Sequence, residues 1–292
     1  MSDVADPDSF ERALGPLRTA SLSSGSLRYR DHGSGVPVVF LAGLVLASGF
    51  WRRVVPALTQ PVRAIVPDLP LGAHTISMRS DADLSPTGIA DLIPELLDTL
   101  DLSEAVIVGN DTGGAIAKLL ATRHPERVSA LVLTPCECFE NFLPPIYRYL
   151  QVLAHVPGAL WPLVQSMRLT SIRRLPIAFG WLTKQPLDRH AYDSFLTPGL
   201  TNRGVRRDTA KVLRAIRRRY TIQADAALAR FERPTLIAWA TEDRVFPYRH
   251  AEALAELLPN AKLIPVTDSY TYIPEDQPLV LAEHIDQFIA EI

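Results

Sequence analysis

The chain has 292 residues, 47% hydrophobic and 21% charged, a balance that excludes an intrinsically disordered protein. Its formal net charge of −2 gives no reason to expect a nucleic-acid or anionic-membrane partner. The two cysteines, Cys136 and Cys138, are too few for a disulfide framework or a structural zinc site. We therefore predict free thiols in a reducing compartment.

The N-terminal stretch MSDVADPDSFERALGP has no apolar core of the kind that a secretory signal needs. The longest uncharged stretch, residues 33–51, is interrupted by Pro37 and Gly43, so a strand leading into a loop explains it better than a membrane span. Both observations predict a cytoplasmic protein.

The first half of the chain alternates short apolar segments with helical patterns. Ser85 and Pro86 have the residue types of an N-cap and a first helical position, and apolar residues at helical spacing follow them. Another helix is predicted over 114–124. Strands are predicted at 26–30, 37–41, 62–66, 105–109 and 129–134.

The alternation stops after residue 135 and resumes near residue 232. The intervening residues, 136–231, predict helical pieces separated by prolines, and no convincing strand. Strands are predicted again at 235–240 and 261–266, with helices over 249–258 and from about 278. We predict an α/β fold with a doubly wound, mostly parallel sheet. Its core domain would comprise 1–135 and 232–292, and residues 136–231 would form a helical cap between the sixth and seventh strands.

The stretch GNDTGG at 109–114 places Asp111 between a buried strand and a helix. Strand, tight turn and helix in this order are the layout of a nucleophile elbow, in which small residues must flank the central side chain. Gly109 and Gly113 stand at the two required offsets. The simpler alternative is that Asp111 only caps the helix. The glycines and the preceding apolar strand favour the elbow.

These features resemble the α/β-hydrolase superfamily, and most closely its branch with an aspartate nucleophile, the haloalkane dehalogenases and epoxide hydrolases. The resemblance covers nearly the whole chain and depends on the order of its motifs. They are LAGLVLASGFWR at 41–52, PDLP at 67–70, RHPERVSALVLT at 123–134 and WATEDRVFP at 239–247.

The resemblance implies a role for each site residue. Asp111 would be the nucleophile, and Asp243 the acid, with Glu137 as an alternative acid because some relatives carry it after the sixth strand. The backbone N–H groups of Leu44 and Thr112 would form an oxyanion hole. The pocket candidates are Trp51, Glu137 and Thr271.

The family's catalytic histidine has no counterpart in this chain. Thr271 stands at the position expected for it, and no histidine occurs between His250 and His284. A carboxylate can attack an electrophile unaided, but hydrolysis of the resulting ester needs a general base, which typically contributes about 10²–10⁴-fold. His74, in a loop at the carboxyl end of a strand, is a candidate for a displaced base.

Other family features also differ. Ala42 replaces the histidine before the oxyanion loop, and Leu44 and Thr112 offer no clamp for a halide ion. Tyrosines that could protonate an epoxide stand in no recognisable motif, and packing is the simpler reading of each. They are Tyr147, Tyr149, Tyr192 and Tyr220.

Three functions remain open from the sequence. The first is a hydrolase-type enzyme acting on a small or medium, largely apolar substrate. The second is a lyase, isomerase or cyclase in which Asp111 transfers a proton. The third is a catalytically degenerate protein that binds a small ligand. None of them calls for a metal or another cofactor, or for a partner besides a small molecule, and the sequence does not set the number of subunits.

Overall fold

The computed structural model describes residues 13–292. Residues 1–12, which hold most of the acidic N-terminal stretch, lie outside the described residues. Within the described part, eight strands form one sheet in the spatial order β1-β2-β4-β3-β5-β6-β7-β8. In chain order they are β1 Leu17–Leu22, β2 Gly25–Gly33, β3 Val36–Leu41, β4 Val62–Pro67, β5 Ala105–Gly109, β6 Val128–Leu133, β7 Thr235–Ala240 and β8 Ala261–Val266.

The sheet is parallel from β4 to β8, and β2 pairs antiparallel with both β1 and β4. The sequence predicts each strand except β1. In β1 only Ala20 is buried, so its segment LRTASL has no apolar repeat that would reveal a strand. The predicted α/β fold with a mostly parallel sheet is confirmed.

Helices flank the sheet and fill the interval between β6 and β7. Short 3₁₀ helices occur at Ser48–Trp51, Val55–Ala57, Pro125–Arg127 and Pro145–Tyr147. The α-helices are α1 Pro86–Thr99, α2 Thr112–Arg123, α3 Tyr149–His155, α4 Leu160–Ser166, α5 Thr170–Arg173, α6 Arg189–Thr201, α7 Arg203–Ala215, α8 Arg218–Leu228, α9 Arg249–Leu257, α10 Ile273–Asp276 and α11 Pro278–Glu291.

Helix α1 shows how local sequence sets an element. The Ser85 hydroxyl accepts a hydrogen bond from the Gly88 N–H at 3.2 Å, and Pro86 occupies the first turn, where its missing N–H costs nothing. The apolar face of α1 is buried, with Ile89 and Ile93 inaccessible to solvent. The helix is therefore held by its cap at one end and by core packing along one face.

The parallel strands bring five loops to one edge of the sheet. Because β3, β5, β6, β7 and β8 run in the same direction, the residues that follow their carboxyl ends meet there. These residues include Leu44, Asp111, Glu137, Asp243 and Thr271. The helical segment, residues 136–231 and hence α3 to α8, lies between β6 and β7 in the chain, and no strand interrupts it in the structure.

Candidate active site

Asp111 occupies the turn between β5 and α2 with a backbone conformation that is rare for a residue with a side chain. Its φ is 53° and its ψ is −133°. Such strain persists only where the surroundings enforce it. Here a Cβ on Gly113 would lie 2.2 Å from the Leu41 carbonyl oxygen, and one on Gly109 would lie 2.6 Å from Gly114 Cα. The glycines therefore allow the turn to press against β3 and hold Asp111 in place.

The Asp111 carboxylate lies against the loop that follows β3. The Leu44 N–H donates a hydrogen bond to Asp111 Oδ2 at 3.2 Å, and a Cβ on Gly43 would come within 2.1 Å of the same oxygen. Burial raises the pKa of Asp111 well above its ordinary value, and the neighbouring Glu137 charge raises it further. The N–H groups of Leu44 and Thr112 oppose that rise. The two predicted oxyanion-hole donors thus both lie at this carboxylate.

Glu137 lies beside the elbow, in the loop that follows β6. Its Oε1 accepts a hydrogen bond from the Thr112 hydroxyl at 2.9 Å, while its buried Oε2 has no hydrogen-bond partner among the described residues. Burial raises the pKa of Glu137 to about 7, and the Lys118 ammonium group acts in the opposite direction. A carboxyl group with this pKa can gain or lose a proton near neutral pH.

A cavity of about 110 Å³ adjoins Asp111, Thr112 and Glu137. Most of its wall is aliphatic or aromatic, and most of these residues come from the helical segment. The other lining residues are Leu44, Val45, Leu143, Pro144, Tyr147, Tyr149, Leu150, Leu163, Val164, Met167, Ile177, Ala178, Phe179, Leu182, Leu196 and Tyr272. Of the three pocket candidates, Glu137 lines this cavity, and Trp51 and Thr271 do not.

Trp51 packs in the core and does not line the cavity. Its ring is inaccessible to solvent and contacts Phe40 and Phe50, with centroid separations of 5.2 and 5.3 Å. The motif LAGLVLASGFWR indicated the right loop, but it does not show that the end of this loop turns into the core.

Asp243 and Thr271 contact each other on the far side of the site. Asp243 Oδ1 accepts hydrogen bonds from the Val245 and Phe246 N–H groups at 2.7 and 2.8 Å, and from the Thr271 hydroxyl at 3.1 Å. Burial raises the pKa of Asp243 to about 7. Thr271 thus makes the contact with the predicted acid, and a hydroxyl stands where an imidazole is expected.

Asn110, which was not singled out from the sequence, joins the two sides of the site. Its side-chain amide donates to the Thr271 carbonyl at 2.8 Å and to the Thr134 hydroxyl at 2.8 Å. The residue before Asp111 therefore holds the loop that carries Thr271. An asparagine before Asp111 in the turn is the only signal in the sequence, and it does not name these partners.

None of the seven histidines, all of which lie in the described residues, lines the cavity. His74, the candidate for a displaced base, is buried, and its Nε2 lies 3.3 Å from Asp208 Oδ2 on α7. The Gly72 N–H approaches its other ring nitrogen at 3.4 Å. The structure therefore places His74 between the core and the helical segment, away from Asp111.

Three tyrosines line the cavity. The Tyr149 hydroxyl donates to the Ile177 carbonyl at 2.7 Å, and the Tyr147 hydroxyl lies 3.2 Å from the Ala178 carbonyl. Tyr272, which follows Thr271, was not singled out from the sequence; its ring packs edge-on against Phe50. Burial raises the pKa of Tyr272 well above its ordinary value, and the nearby Asp111 charge adds to the effect.

In residues 13–292, no cluster of three or more histidine, cysteine, aspartate or glutamate side chains has the arrangement needed to hold a metal ion. None of the helices that these residues form is long and apolar enough to cross a bilayer.

The fold and this elbow agree with a family model described as "Alpha/beta hydrolase family", which matches residues 38–284. The chain belongs to the alpha/beta hydrolase family. The haloalkane dehalogenase from Bradyrhizobium elkani superposes with a TM-score of 0.77 at 24% identity, covering 94% of this chain and 98% of that one. At this identity the likeness shows the shared fold alone.

Two curated relatives differ in their named reactions. A 2-hydroxymuconate semialdehyde hydrolase from a Pseudomonas species is 31% identical over 242 residues, which is 80% of this chain and 79% of the relative. A cis-3-alkyl-4-alkyloxetan-2-one decarboxylase from Shewanella oneidensis is 28% identical over 287 residues, covering 93% of this chain and 87% of the relative. The family thus includes both a hydrolase and a decarboxylase similar to this chain.

Proposed function

We propose that the chain is an alpha/beta-hydrolase-family enzyme in which Asp111 attacks a small or medium, largely apolar electrophile. The observation that carries the proposal is the strained elbow, which holds the Asp111 carboxylate at the wall of an apolar cavity. Leu44 and Thr112 supply backbone N–H groups at that carboxylate. Once the ester has formed, fixed donors of this kind stabilise the negative charge that develops on its carbonyl oxygen when water adds.

The cavity supports the substrate class. Its wall is almost wholly apolar, so an apolar body gains free energy by leaving water there, whereas a charged one would lose its hydration without compensation. We propose that the helical segment serves as a cap domain over the core domain formed by residues 1–135 and 232–292. It provides the greater part of this wall, and a closed site would keep water from the reacting atoms until it is needed.

In the proposed reaction, a carboxylate oxygen of Asp111 forms a bond to an electrophilic carbon while the bond from that carbon to its leaving group breaks. The electron pair of the broken bond goes to the leaving group, and the enzyme carries an ester on Asp111. Asp243, with Thr271 donating to it, would hold the loop that carries Thr271 rather than orient a histidine. The cavity has no histidine to hydrolyse the ester.

A second candidate function is a lyase or isomerase reaction in which Asp111 only moves a proton. The absence of histidine from the cavity favours it, and so does the raised pKa of Asp111, because a carboxyl group that holds its proton near neutral pH can donate it. The Shewanella relative is named as a decarboxylase, so a reaction other than hydrolysis has a precedent among similar chains.

Intact-protein mass spectrometry tests the nucleophile role. The protein is incubated with haloalkanes, epoxides, activated esters and a dialkyl oxetan-2-one, with Asp111→Ala as the test variant. Asp81→Ala is the matched control, since Asp81 is an exposed carboxylate paired with Arg79. We expect an adduct or turnover with the wild type and the control, and neither with Asp111→Ala.

Two outcomes would contradict the nucleophile role. One is an adduct that persists in Asp111→Ala. The other is turnover that needs Asp111 but proceeds with no ester detectable under rapid quenching, which would favour the proton-transfer reaction. Saturable binding of these compounds without turnover or adduct would favour a ligand-binding protein.

A further inference from the structure

We propose that Glu137 is the general acid and base of the Asp111 reaction, doing from the elbow side of the site what a histidine does elsewhere in the family. This inference rests on the proposed nucleophile role of Asp111. Glu137 would first donate a proton to the leaving group. It would then activate the water that hydrolyses the ester.

Geometry is the first support. Glu137 and Asp111 line the same cavity, and Thr112, which directly follows Asp111, lines it as well. Its hydroxyl holds Glu137 Oε1 at 2.9 Å. The other oxygen, Oε2, is buried and has no hydrogen-bond partner among the described residues. A buried carboxylate oxygen is rarely left unpaired, so a substrate atom or a water is the expected partner.

The charges around Glu137 are the second support. Asp111 and Glu137 repel each other when both are ionised, so the pair holds one proton most readily near neutral pH. The Lys118 ammonium group favours ionised Glu137. When an ester forms, Asp111 loses its charge and the repulsion ends, which frees Glu137 to ionise. Five titratable groups interact electrostatically with Glu137: Asp111, Lys118, Cys136, Cys138 and Tyr272.

The proton balance closes for a substrate whose leaving atom is oxygen, such as an epoxide. Ionised Asp111 attacks carbon, the carbon–oxygen bond breaks, and the alkoxide takes the proton of Glu137. Glu137 then accepts a proton from water as the hydroxide adds to the ester carbonyl of Asp111. When the ester bond breaks, Glu137 returns that proton to the second alkoxide. The pair again holds one proton, which now lies on Asp111 and must pass to Glu137 before the next attack.

A halide leaving group separates the two steps. It departs as an anion without a proton, so Glu137 has no part in forming the ester and must release its own proton to solvent before it activates water. Only ester hydrolysis should then depend on Glu137. With an epoxide, both formation and hydrolysis of the ester should depend on it.

The experiment follows the Asp111 ester by quench-flow and intact-protein mass spectrometry, with n-butyl bromide and propylene oxide as probes. The test variant is Glu137→Gln, which keeps the shape and removes the titration. Glu140→Gln is the matched control, because Glu140 is exposed in the same loop. With n-butyl bromide, Glu137→Gln should form the ester and hydrolyse it about 10²–10⁴-fold more slowly than the wild type.

A pH profile gives a readout that a purely structural role would not alter. Ester hydrolysis by the wild type should rise with pH as Glu137 ionises and then level off. Glu137→Gln should show no such inflection, and Glu137→Asp should recover part of the rate with the inflection restored. Circular dichroism of each variant verifies that it is folded, and Glu137→Asp keeps the test open if Glu137→Gln is not.

Two results would overturn the inference, and they differ in what else they affect. If the ester forms and disappears at the same rate in the wild type and in Glu137→Gln, Glu137 is not the base, while Asp111 remains the nucleophile. If no ester forms on the wild type or on Glu137→Gln with either probe, both proposals fail together.

Discussion

The two sides of the sheet edge differ in how completely they are built for catalysis. On the elbow side, glycines at 43, 109 and 113 leave no space for a side chain, and Asp111 has a strained backbone and a backbone donor. On the opposite side, Asp243 keeps its backbone donors, but Thr271 is its side-chain partner. A hydroxyl satisfies the acid and cannot accept a proton from water at neutral pH.

This difference between the two sides affects the two proposed steps differently: attack by the Asp111 carboxylate, and hydrolysis of the resulting ester. Attack by a carboxylate depends on backbone geometry that many glycines and strands determine together. Activation of water depends on one ionisable side chain, and a single substitution removes it. Under the proposed mechanism, the intact elbow serves the first step, and a threonine at position 271 leaves the second step in need of a base from elsewhere.

The comparison is tested most directly by placing a histidine at position 271. Thr271→His in the Glu137→Gln background should raise the rate of ester hydrolysis about 10²–10⁴-fold, since an imidazole there lies next to Asp243. Quench-flow with n-butyl bromide measures it. Thr271→Asn is the control, because an amide can contact Asp243 but cannot act as a base. Equal rates for the two variants would show that position 271 cannot reach the ester.

The elbow side can be disrupted by a substitution that replaces no charged residue. A Cβ at Gly43 would lie 2.1 Å from Asp111 Oδ2, so Gly43→Ala should displace the carboxylate from the Leu44 N–H. We expect hydrolysis of the Asp111 ester to slow about 10²–10³-fold, the usual cost of one oxyanion donor, because the Leu44 N–H would stabilise the oxyanion that forms when water adds. Gly199→Ala is the matched control, because its new Cβ would meet Val164 at an ordinary 3.5 Å. Unchanged ester hydrolysis in Gly43→Ala would mean that the contact is not needed.

Protonation of Glu137 should change the free energy of unfolding with pH. Its pKa is about 7 in the folded protein against 4.5 for the free side chain, so the folded state binds more protons between these values. The wild type should therefore lose stability relative to Glu137→Gln as pH rises from about 5 to about 8, by up to about 3 kcal/mol. Urea unfolding at both pH values measures this. A difference that does not change with pH would place the Glu137 pKa in its ordinary range.

The smallest expected effect concerns the Asp243 side. Thr271→Val keeps the shape and removes one of three donors to Asp243 Oδ1, so the free energy of unfolding should fall by about 1 kcal/mol. Thr99→Val, which removes an exposed hydroxyl bonded to the Glu95 carbonyl, is the control. Equal losses in urea unfolding would show that the contact between Thr271 and Asp243 contributes nothing to stability.

Much of this architecture could be predicted from the sequence, because strand periodicity and glycine offsets are local. The strands 235–240 and 261–266 were predicted with the bounds that the structure shows, and the elbow turn was placed at Asp111. Strand β1 was missed because only one of its residues is buried.

Contacts between distant loops could not be predicted in the same way. The pairing of His74 with Asp208 joins residues 134 positions apart, and no periodicity connects them. Trp51 was expected at the pocket, but the direction of a side chain in a loop depends on what packs around it. For the same reason Tyr272 and Asn110 were overlooked, although each is adjacent to a residue that was identified.

The buried pair formed by Lys118 on α2 and Asp225 on α8 bears on how a substrate enters. Both side chains are inaccessible to solvent, and Asp225 also accepts a hydrogen bond from the Phe139 N–H. Moving α8 away while Lys118 stays buried would leave the Lys118 charge without its partner, at a cost of about 3–5 kcal/mol. Opening of the site should therefore leave α8 docked on α2.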